Sequence, residues 1–296
     1  MIIAVIGATA SGKTAKAIQL AQELDGIIIN CDRFQLYKDL RILSAYPTDE
    51  ELATAPHRMF GILDCHRNTS AYEYAKLASD EIKNANRQPI VVGGTGMYLD
   101  ILVNGISPLP NIPEDVRQTG IELAIRDFPT MCETVYKFDP QLNVRPENHH
   151  QIIRAWEILT VTGKSIRYFF EKPRIKFVED SWKFVYLNPP RDELYAKINK
   201  RFDLMIRNGA IDEVSALLKK FDNLPLEILF QKFHIFKTIG VREIAEYLNE
   251  VLPYNQMIEL VKQHSRNYAK RQNTWFNKHS KLFLKSSHAI MKWISL

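Results

Sequence analysis

Over the first hundred residues, short unbroken apolar runs alternate with amphipathic stretches. Residues 2–6 are wholly apolar and end at Gly7. From Thr14 onward, Ala17, Ile18, Ala21 and Leu24 recur at helical spacing. A second apolar run, GIIIN, leads into Cys31-Asp32. The stretch SAYEYAKLASDEIKNANRQ then predicts a helix, with Ser70 as N-cap and Glu73 at the capping-box position. PIVVGG is a third buried strand, closed by Gly93 and Gly94. Apolar strands alternating with helices predict a parallel sheet covered on both faces.

The alternation stops at ISPLPNIPED, whose three prolines mark a boundary. Beyond it the chain reads as mainly helical and includes HHQIIRAWEILTVTGKS. WKFVYLN then returns as a strand, followed by the helical RDELYAKINKRFDLMIRNG. The expected organisation is a core made of residues 1–112 and 180–296, with 113–179 as an inserted helical lobe. No internal repeat or low-complexity stretch is visible.

Composition narrows this picture only a little. With 46% hydrophobic and 25% charged residues, the chain has the balance of a soluble globular protein. No apolar run reaches the roughly 18 residues that a membrane span requires, so no membrane association is expected. The first strand runs straight into a glycine-rich loop, which speaks against a cleavable signal. Cys31, Cys65 and Cys132 are odd in number and widely spaced. That pattern fits neither a disulfide framework nor a zinc site, and it points to the cytoplasm. Charge is more informative. After Glu259 there is no acidic residue, while Lys262, Arg266, Lys270, Arg271, Lys278, Lys281, Lys285 and Lys292 follow. These eight charges exceed the chain's net +5, so the rest is net acidic. A basic end on an acidic body suits a polyanionic partner, although a merely solvated helix would carry the same charges.

Gly7-Ala8-Thr9-Ala10-Ser11-Gly12-Lys13-Thr14 fits G-x-x-x-x-G-K-[ST] at every fixed position. In such a loop backbone N–H groups turn around phosphate oxygens, the following helix offers its positive end, and Lys13 adds a charge. Thr14 supplies a hydroxyl able to hold Mg²⁺. The fold class expected is therefore α/β, a P-loop-type mostly parallel sheet flanked by helices. An NTP-hydrolysing machine also needs a carboxylate at a neighbouring strand end to hold its metal. PIVVGG ends instead in Gly93-Gly94-Thr95. The acid that does end a strand is Asp32, which the sheet should bring beside the loop; a simple turn aspartate is the competing explanation. Thr95 shares that location, and its paired glycines allow either close approach by a ligand or a plain tight turn.

GATASGKT, CDRFQLY, APHRMFGILD, VVGGTGMYLDILVNGISPLP, the VR at 116–117, RAWEI, LYAKINKRFDLMI, TIGVREI and YAKRQNTWF occur in this order. Together these stretches resemble the tRNA dimethylallyltransferases over nearly the whole chain. The resemblance implies transfer of a five-carbon prenyl group from dimethylallyl diphosphate to N6 of the adenine just 3′ of the anticodon. The loop, residues 7–14, would then hold diphosphate with Mg²⁺. Asp32 would be the general base, Thr95 would orient the amine, and Arg201 would stabilise the leaving group. Residues implied to meet the tRNA anticodon stem-loop are Asp32, Arg33, Phe34, Gln35, Thr95, Arg117, Gln151, Arg154, Gly240, Arg242, Lys270, Arg271 and Gln272. A monomer is expected. Trp275 and Phe276, at helical spacing from Tyr268, read as core.

The chain departs from that family's pattern in three places. Arg33 stands where Ser is usual. In KDLRILSAYP, Asp39 and Leu43 replace glycines, Ser44 a threonine and Tyr46 a lysine, which puts the shape of that loop in question. His149, His150 and Gln151 replace an arginine-bearing pattern. Three other activities compete: a P-loop kinase or NTPase, a prenyltransferase acting on free adenine nucleotides, and a silent RNA-binding protein. The missing strand-end acid weighs against the first. The basic YAKRQNTWF end weighs against the second, and the presence of Lys13 and Asp32 against the third.

Overall fold

The computed structural model describes residues 1–221, 224–285 and 290–294. The chain divides into two compact units, Met1–Asn104 with Phe177–Leu296, and Gly105–Lys176.

The larger unit is built on a parallel sheet. Its strands are β1 (Ile2–Gly7), β2 (Gly26–Asn30), β3 (His57–Arg58), β4 (Gln88–Gly93), β5 (Trp182–Leu187) and β6 (Ile290–Ile294), in the order β3-β2-β4-β1-β5-β6. All pairings are parallel, with Val5 opposite both Val92 of β4 and Val185 of β5. Every residue of β1 and β2 is buried. Covered on both faces, these strands read as unbroken apolar runs rather than alternating ones. Ile3, Val5, Ile28, Ile90 and Val92 share one core with Ala17 and Ala21 of α1 (Lys13–Glu23).

Helices fill the connections. They are α1, α2 (Asp49–Thr54), α3 (Ala71–Lys83), α4 (Gly96–Asn104), α8 (Arg191–Arg207), α9 (Ala210–Lys219), α10 (Leu226–Lys232), α11 (Val241–Leu248) and α12 (Tyr254–Lys285). The start of α3 is fixed as expected: Glu73 N–H donates to Ser70 Oγ at 3.1 Å, and Ser70 N–H donates to Glu73 Oε2 at 2.8 Å. Beside β1 the topology switches direction, since β1 connects to β2 beyond β4 whereas β4 connects to β5 on the other flank. Ligand crevices form outside strand C-termini at such a switch, and here those ends belong to the loop after β1 and to Thr95 after β4.

The smaller unit contains α5 (Glu114–Phe138), kinked at Asp127 just before Pro129, α6 (His149–Thr162) and α7 (Ile166–Phe170). Ile106 and Ile175 pair antiparallel at its base. Met131, Val135, Ile152, Ala155 and Ile158 form its own apolar core, so the boundaries fall at 105 and 176.

Candidate active site at the strand ends

The loop after β1 has the form its glycines require. Gly12 sits at φ 92° as the N-cap of α1, a left-handed position that favours glycine. Lys13 Nζ donates to the carbonyl of Ala8 at 2.6 Å. Thr9 is tied at both ends: its N–H donates to Gln272 Oε1 at 2.8 Å, and its hydroxyl accepts from Arg201 Nη2.

Asp32 lies two residues past β2, and its position is set by Asn30, the last residue of that strand. Asp32 N–H donates to Asn30 Oδ1 at 2.8 Å, while Asn30 Nδ2 donates to the carbonyls of Asp32 and Met59. Asn30 is fully buried, and its carbonyl accepts from Tyr74 Oη at 3.0 Å. Asp32 Oδ1 accepts from Phe34 N–H at 3.0 Å, a turn-type bond. The turn explanation is therefore correct for one carboxylate oxygen, and it does not exclude a chemical role for the group. Burial pushes the Asp32 carboxyl above the usual carboxylate range, opposed by the Phe34 amide, Lys13 and Arg201. Burial likewise brings Lys13 down to about 8, with Asp32 raising it and Arg201 lowering it. Burial lowers Arg201, and Asp32 opposes that shift. The two cations and the carboxylate thus sense one another around a single point.

That point is lined space. A cavity of about 340 Å³ is bounded by Thr9, Gly12, Lys13, Thr14, Asp32 and Arg201. A smaller hollow of about 70 Å³ adjoins it and shares Thr9, Asp32, Ser44 and Arg201. Its other walls are largely apolar: Phe34, Leu43, Phe202, Met205, Ile239 and Tyr268. Thr95 stands at the base of α4, where its Oγ1 accepts from Arg33 N–H at 3.1 Å and its side chain meets Tyr268.

The glycines around Thr95 make room for neighbouring protein groups, and Gly93 also lines the larger cavity. An added Cβ would lie 2.0 Å from the Cys31 carbonyl oxygen at Gly93, 2.3 Å from Gln272 Nε2 at Gly94 and 2.2 Å from Trp275 at Gly96. Phe276 is buried as expected, and Trp275 is half-buried, stacked on His279 at 4.2 Å.

The residues implied to meet RNA fall into distinct groups. Lys270 and Arg271 are exposed on α12. Gln272 is buried and bonded at both ends, its Nε2 donating to Gly94 O at 2.9 Å. Gln35 Nε2 donates to the carbonyls of Ser44 and Ala45. Gly240 is buried, at φ 98° against Leu43 and Val261. Arg242 is exposed and lies 4.2 Å over the Phe230 ring. In the smaller unit Gln151 is exposed, Arg117 is close to Glu114, and Arg154 Nη1 donates to the buried Glu157 at 2.9 Å. The basic end divides in the same way. Lys262 pairs with Asp203 at 2.8 Å and Arg266 with Asn199, whereas Lys278 is exposed. The side chains of Lys281, Lys285 and Lys292 lie outside the described part.

The loop at 38–47 is pinned without its glycines. Glu213 of α9 accepts from the amides of Ile42 at 2.7 Å and Leu43 at 3.0 Å, and Lys220 pairs with Asp39. Sequence alone did not single out Lys197, Glu51 or His57, all of which line the larger cavity. For Lys197 the signal was present: it precedes Arg201 by one helical turn on α8. Among the described residues Asp64, Cys65 and His66 form a group of metal-ligating types. Asp64 is already paired with Lys38 and His66, however, and burial pushes the Cys65 thiol up to about 12.

Three comparisons bear on this site. The IPP transferase family profile matches residues 35–279, and a profile described as isopentenyl transferase matches 1–68. A tRNA dimethylallyltransferase of Zymomonas mobilis is 38% identical over 282 residues, covering 93% of this chain and 87% of that protein. The corresponding protein of Agrobacterium fabrum is 37% identical, with 93% and 92% covered. Among solved structures, a eukaryotic dimethylallyltransferase acting on tRNA superposes with a TM-score of 0.79 at 26% identity, covering 98% of this chain and 73% of that one. A tRNA isopentenylpyrophosphate transferase of Bacillus halodurans gives 0.65 at 28% identity, with 99% and 90% covered.

Proposed function

The chain belongs to the IPP transferase family, and from that premise we propose that it transfers a dimethylallyl group to N6 of the adenine 3′-adjacent to the anticodon of tRNA. The donor is dimethylallyl diphosphate. The observation that carries this assignment is the placing of Asp32 where two hollows meet, with Arg201 lining both and Lys13 lining the larger. A two-substrate displacement needs that arrangement: a base on the acceptor side and cations on the leaving-group side.

In the reaction the C–N6 bond forms, the allylic C–O bond to diphosphate breaks, and the N6 proton passes to Asp32. An adenine amine is a weak nucleophile because its lone pair is delocalised into the ring. A positioned base contributes roughly 10²–10⁴-fold, and a carboxylate pushed up by burial is a stronger base than an ordinary one. Thr95, its hydroxyl oxygen already accepting from Arg33 N–H, can orient the amine. Charge grows on the departing diphosphate, where Lys13, Arg201 and the loop amides stabilise it. Thr9 contributes its hydroxyl through Arg201 but not its amide, which Gln272 occupies.

A Mg²⁺ ion fits the residues present. Thr14 lines the cavity beside the loop, and this metal is often held by one or two protein groups together with phosphate oxygens and water. When bound it would neutralise diphosphate charge.

In the larger unit Lys270, Arg271 and Arg242 are exposed cations proposed as tRNA contacts; in the smaller unit Arg117, Gln151 and Arg154 are proposed as tRNA contacts. Flipping a stacked base costs a few kcal/mol, which phosphate contacts must offset. Among the described residues no helix is long and apolar enough to cross a membrane. A cytoplasmic monomer suits this activity.

The deciding experiment supplies dimethylallyl diphosphate and Mg²⁺ with either unmodified tRNA or free AMP as acceptor. Transfer to tRNA with little or none to AMP is expected; the opposite preference would overturn the assignment. Asp32→Asn should abolish transfer while leaving tRNA affinity nearly intact. A variant that kept its rate would remove Asp32 from the role of base.

A further inference from the structure

The smaller hollow beside Asp32 runs between two helices, which give its direction. α8 and α12 are antiparallel here: Lys262 pairs with Asp203 at 2.8 Å, and Arg266 Nη1 donates to Asn199 Oδ1 at 2.7 Å. Arg201 of α8 and Tyr268 of α12 line one end of the hollow, Met205 and Val261 the other. Arg201 also donates to the Thr9 hydroxyl and lines the larger cavity, so the first end opens beside the phosphate loop. From Tyr268 to Val261 the axis of α12 advances about 10 Å.

Leu43 closes the far end. A Cβ on Gly240 would lie 3.1 Å from Leu43 Cδ2 and 3.5 Å from Val261 Cγ1. Leu43 and Val261 therefore meet over Gly240, and Leu43 is buried there. The backbone behind it is fixed. Glu213 accepts from Leu43 N–H at 3.0 Å, and Gln35 Nε2 donates to the carbonyls of Ser44 and Ala45. Leu43 stands where the family pattern has glycine, so this part of the wall belongs to this chain.

The lining decides what the hollow can hold. Two of its hydroxyls are already spent as donors, Ser44 Oγ on the Leu40 carbonyl and Thr238 Oγ1 on the Ile235 carbonyl at 2.7 Å. An adenine inserted here would set its ring nitrogens against Ile198, Leu43, Phe202 and Met205, and a buried polar group without a partner is costly. A hydrocarbon tail loses nothing by entering. The volume of about 70 Å³ gives room for about five to seven water-sized groups at roughly 10–15 Å³ each. That suits a five-carbon tail and is too little for a ten-carbon one.

We propose that the smaller hollow takes the prenyl tail of the donor, and that Leu43 at its far end limits that tail to five carbons. This rests on the assignment of a prenyl diphosphate to the phosphate loop. The diphosphate occupies the larger cavity, the allylic carbon lies where the hollows meet at Asp32, and the tail points toward Leu43.

The test compares dimethylallyl diphosphate with geranyl diphosphate, both with Mg²⁺, by calorimetric binding without acceptor and by kcat/KM at saturating tRNA. Wild type should favour the five-carbon donor about 100-fold or more, since one surplus methylene is already worth about 10–200-fold in a closed pocket. Leu43→Ala should raise affinity and kcat/KM for geranyl diphosphate about tenfold or more and lower those for the shorter donor only several-fold. The hold of Glu213 on the loop backbone keeps the new space from collapsing. Met205→Ala opens the same end from α8 and should move the ratio the same way, so the outcome does not depend on how Leu43→Ala folds. Leu43→Ile, similar in volume, should keep the wild-type ratio. Equal binding of both donors by wild type, or a ratio that neither alanine variant moves, would overturn the proposal. A ratio moved instead by Phe60→Leu, in the wall of the larger cavity alone, would overturn it too. Failure of the parent assignment reads differently: transfer to AMP in place of tRNA changes the acceptor and leaves the donor ratio as it is.

Discussion

Gln272 gives the sharpest test of the architecture, because sequence and structure assign it different work. Family resemblance places it among the residues that touch RNA, whereas the fold buries its amide between the phosphate loop and the end of β4. Gln272→Leu keeps similar bulk and removes both bonds, so Gly94 C=O is left buried and Thr9 N–H half-buried without partners. Each such orphan costs about 1–3 kcal/mol, and the pair therefore about 2–6 kcal/mol. Against a whole-protein stability of about 5–15 kcal/mol, that is a large fraction.

Two assays separate the alternatives. Differential scanning fluorimetry should show the melting midpoint of Gln272→Leu falling by roughly 2–4 °C per kcal/mol lost. Titration with a non-transferable donor analogue should show affinity reduced about 10–100-fold, because the loop that holds diphosphate has lost its brace at Thr9. Stem-loop affinity measured without donor should stay within about twofold. The reasoning fails if RNA affinity collapses while melting and donor binding are unchanged, for Gln272 would then face the RNA as the sequence suggests.

Other expectations follow from the same geometry. Asp32 must be ionised to take a proton, and burial raises its pKa, so activity should be lost as pH falls through a value above the usual carboxylate range. Lys13 must be charged to hold diphosphate. In kcat/KM for the donor, an alkaline limb near its value of about 8 is expected, moving upward for Lys13→Arg; a flat profile from pH 6 to 9 would contradict the Lys13 assignment. Lys197→Ala removes a cation lining the donor cavity and should raise the KM for donor several-fold, leaving the KM for tRNA unchanged in steady-state assays. Replacing Lys270 and Arg271 together should weaken tRNA binding and reduce its salt slope by about two, a result readable by filter binding at three salt concentrations.

What the sequence disclosed was whatever a single stretch of backbone decides. The phosphate loop, the capping box of α3 and the buried strands each follow from local steric and hydrogen-bonding rules, so their positions could be read directly. Asp32 was legible for a related reason: parallel topology alone puts the end of β2 on the same edge of the sheet as the end of β1, one strand away across β4. The supports were not legible, because they are set by partners far along the chain. Asn30 braces Asp32 through Met59, and Glu213 replaces with two hydrogen bonds the freedom that loop 38–47 lacks without its glycines. Nothing in KDLRILSAYP names a glutamate 171 residues away.

The segment Lys270-Arg271-Gln272 shows why proximity in sequence misleads on a helix. Successive residues turn by about 100°, so three neighbours span most of the circumference of α12 and cannot all face the same partner. Two charges and an amide resolve this by burial cost. The amide can be desolvated if both its ends find backbone partners, which Thr9 and Gly94 provide, whereas two unpaired cations cannot. Side-chain chemistry and helical angle together therefore assign the inward position to Gln272 and leave its neighbours exposed. The same logic divides the longer basic stretch, turning Lys262 and Arg266 toward Asp203 and Asn199 of α8. A helix that carries the proposed RNA contacts on one face and braces the proposed donor loop with another would join the two substrate sites mechanically. Loosening the brace at Gln272 should therefore reach the chemistry through the donor, while stripping the cations should reach it through the acceptor.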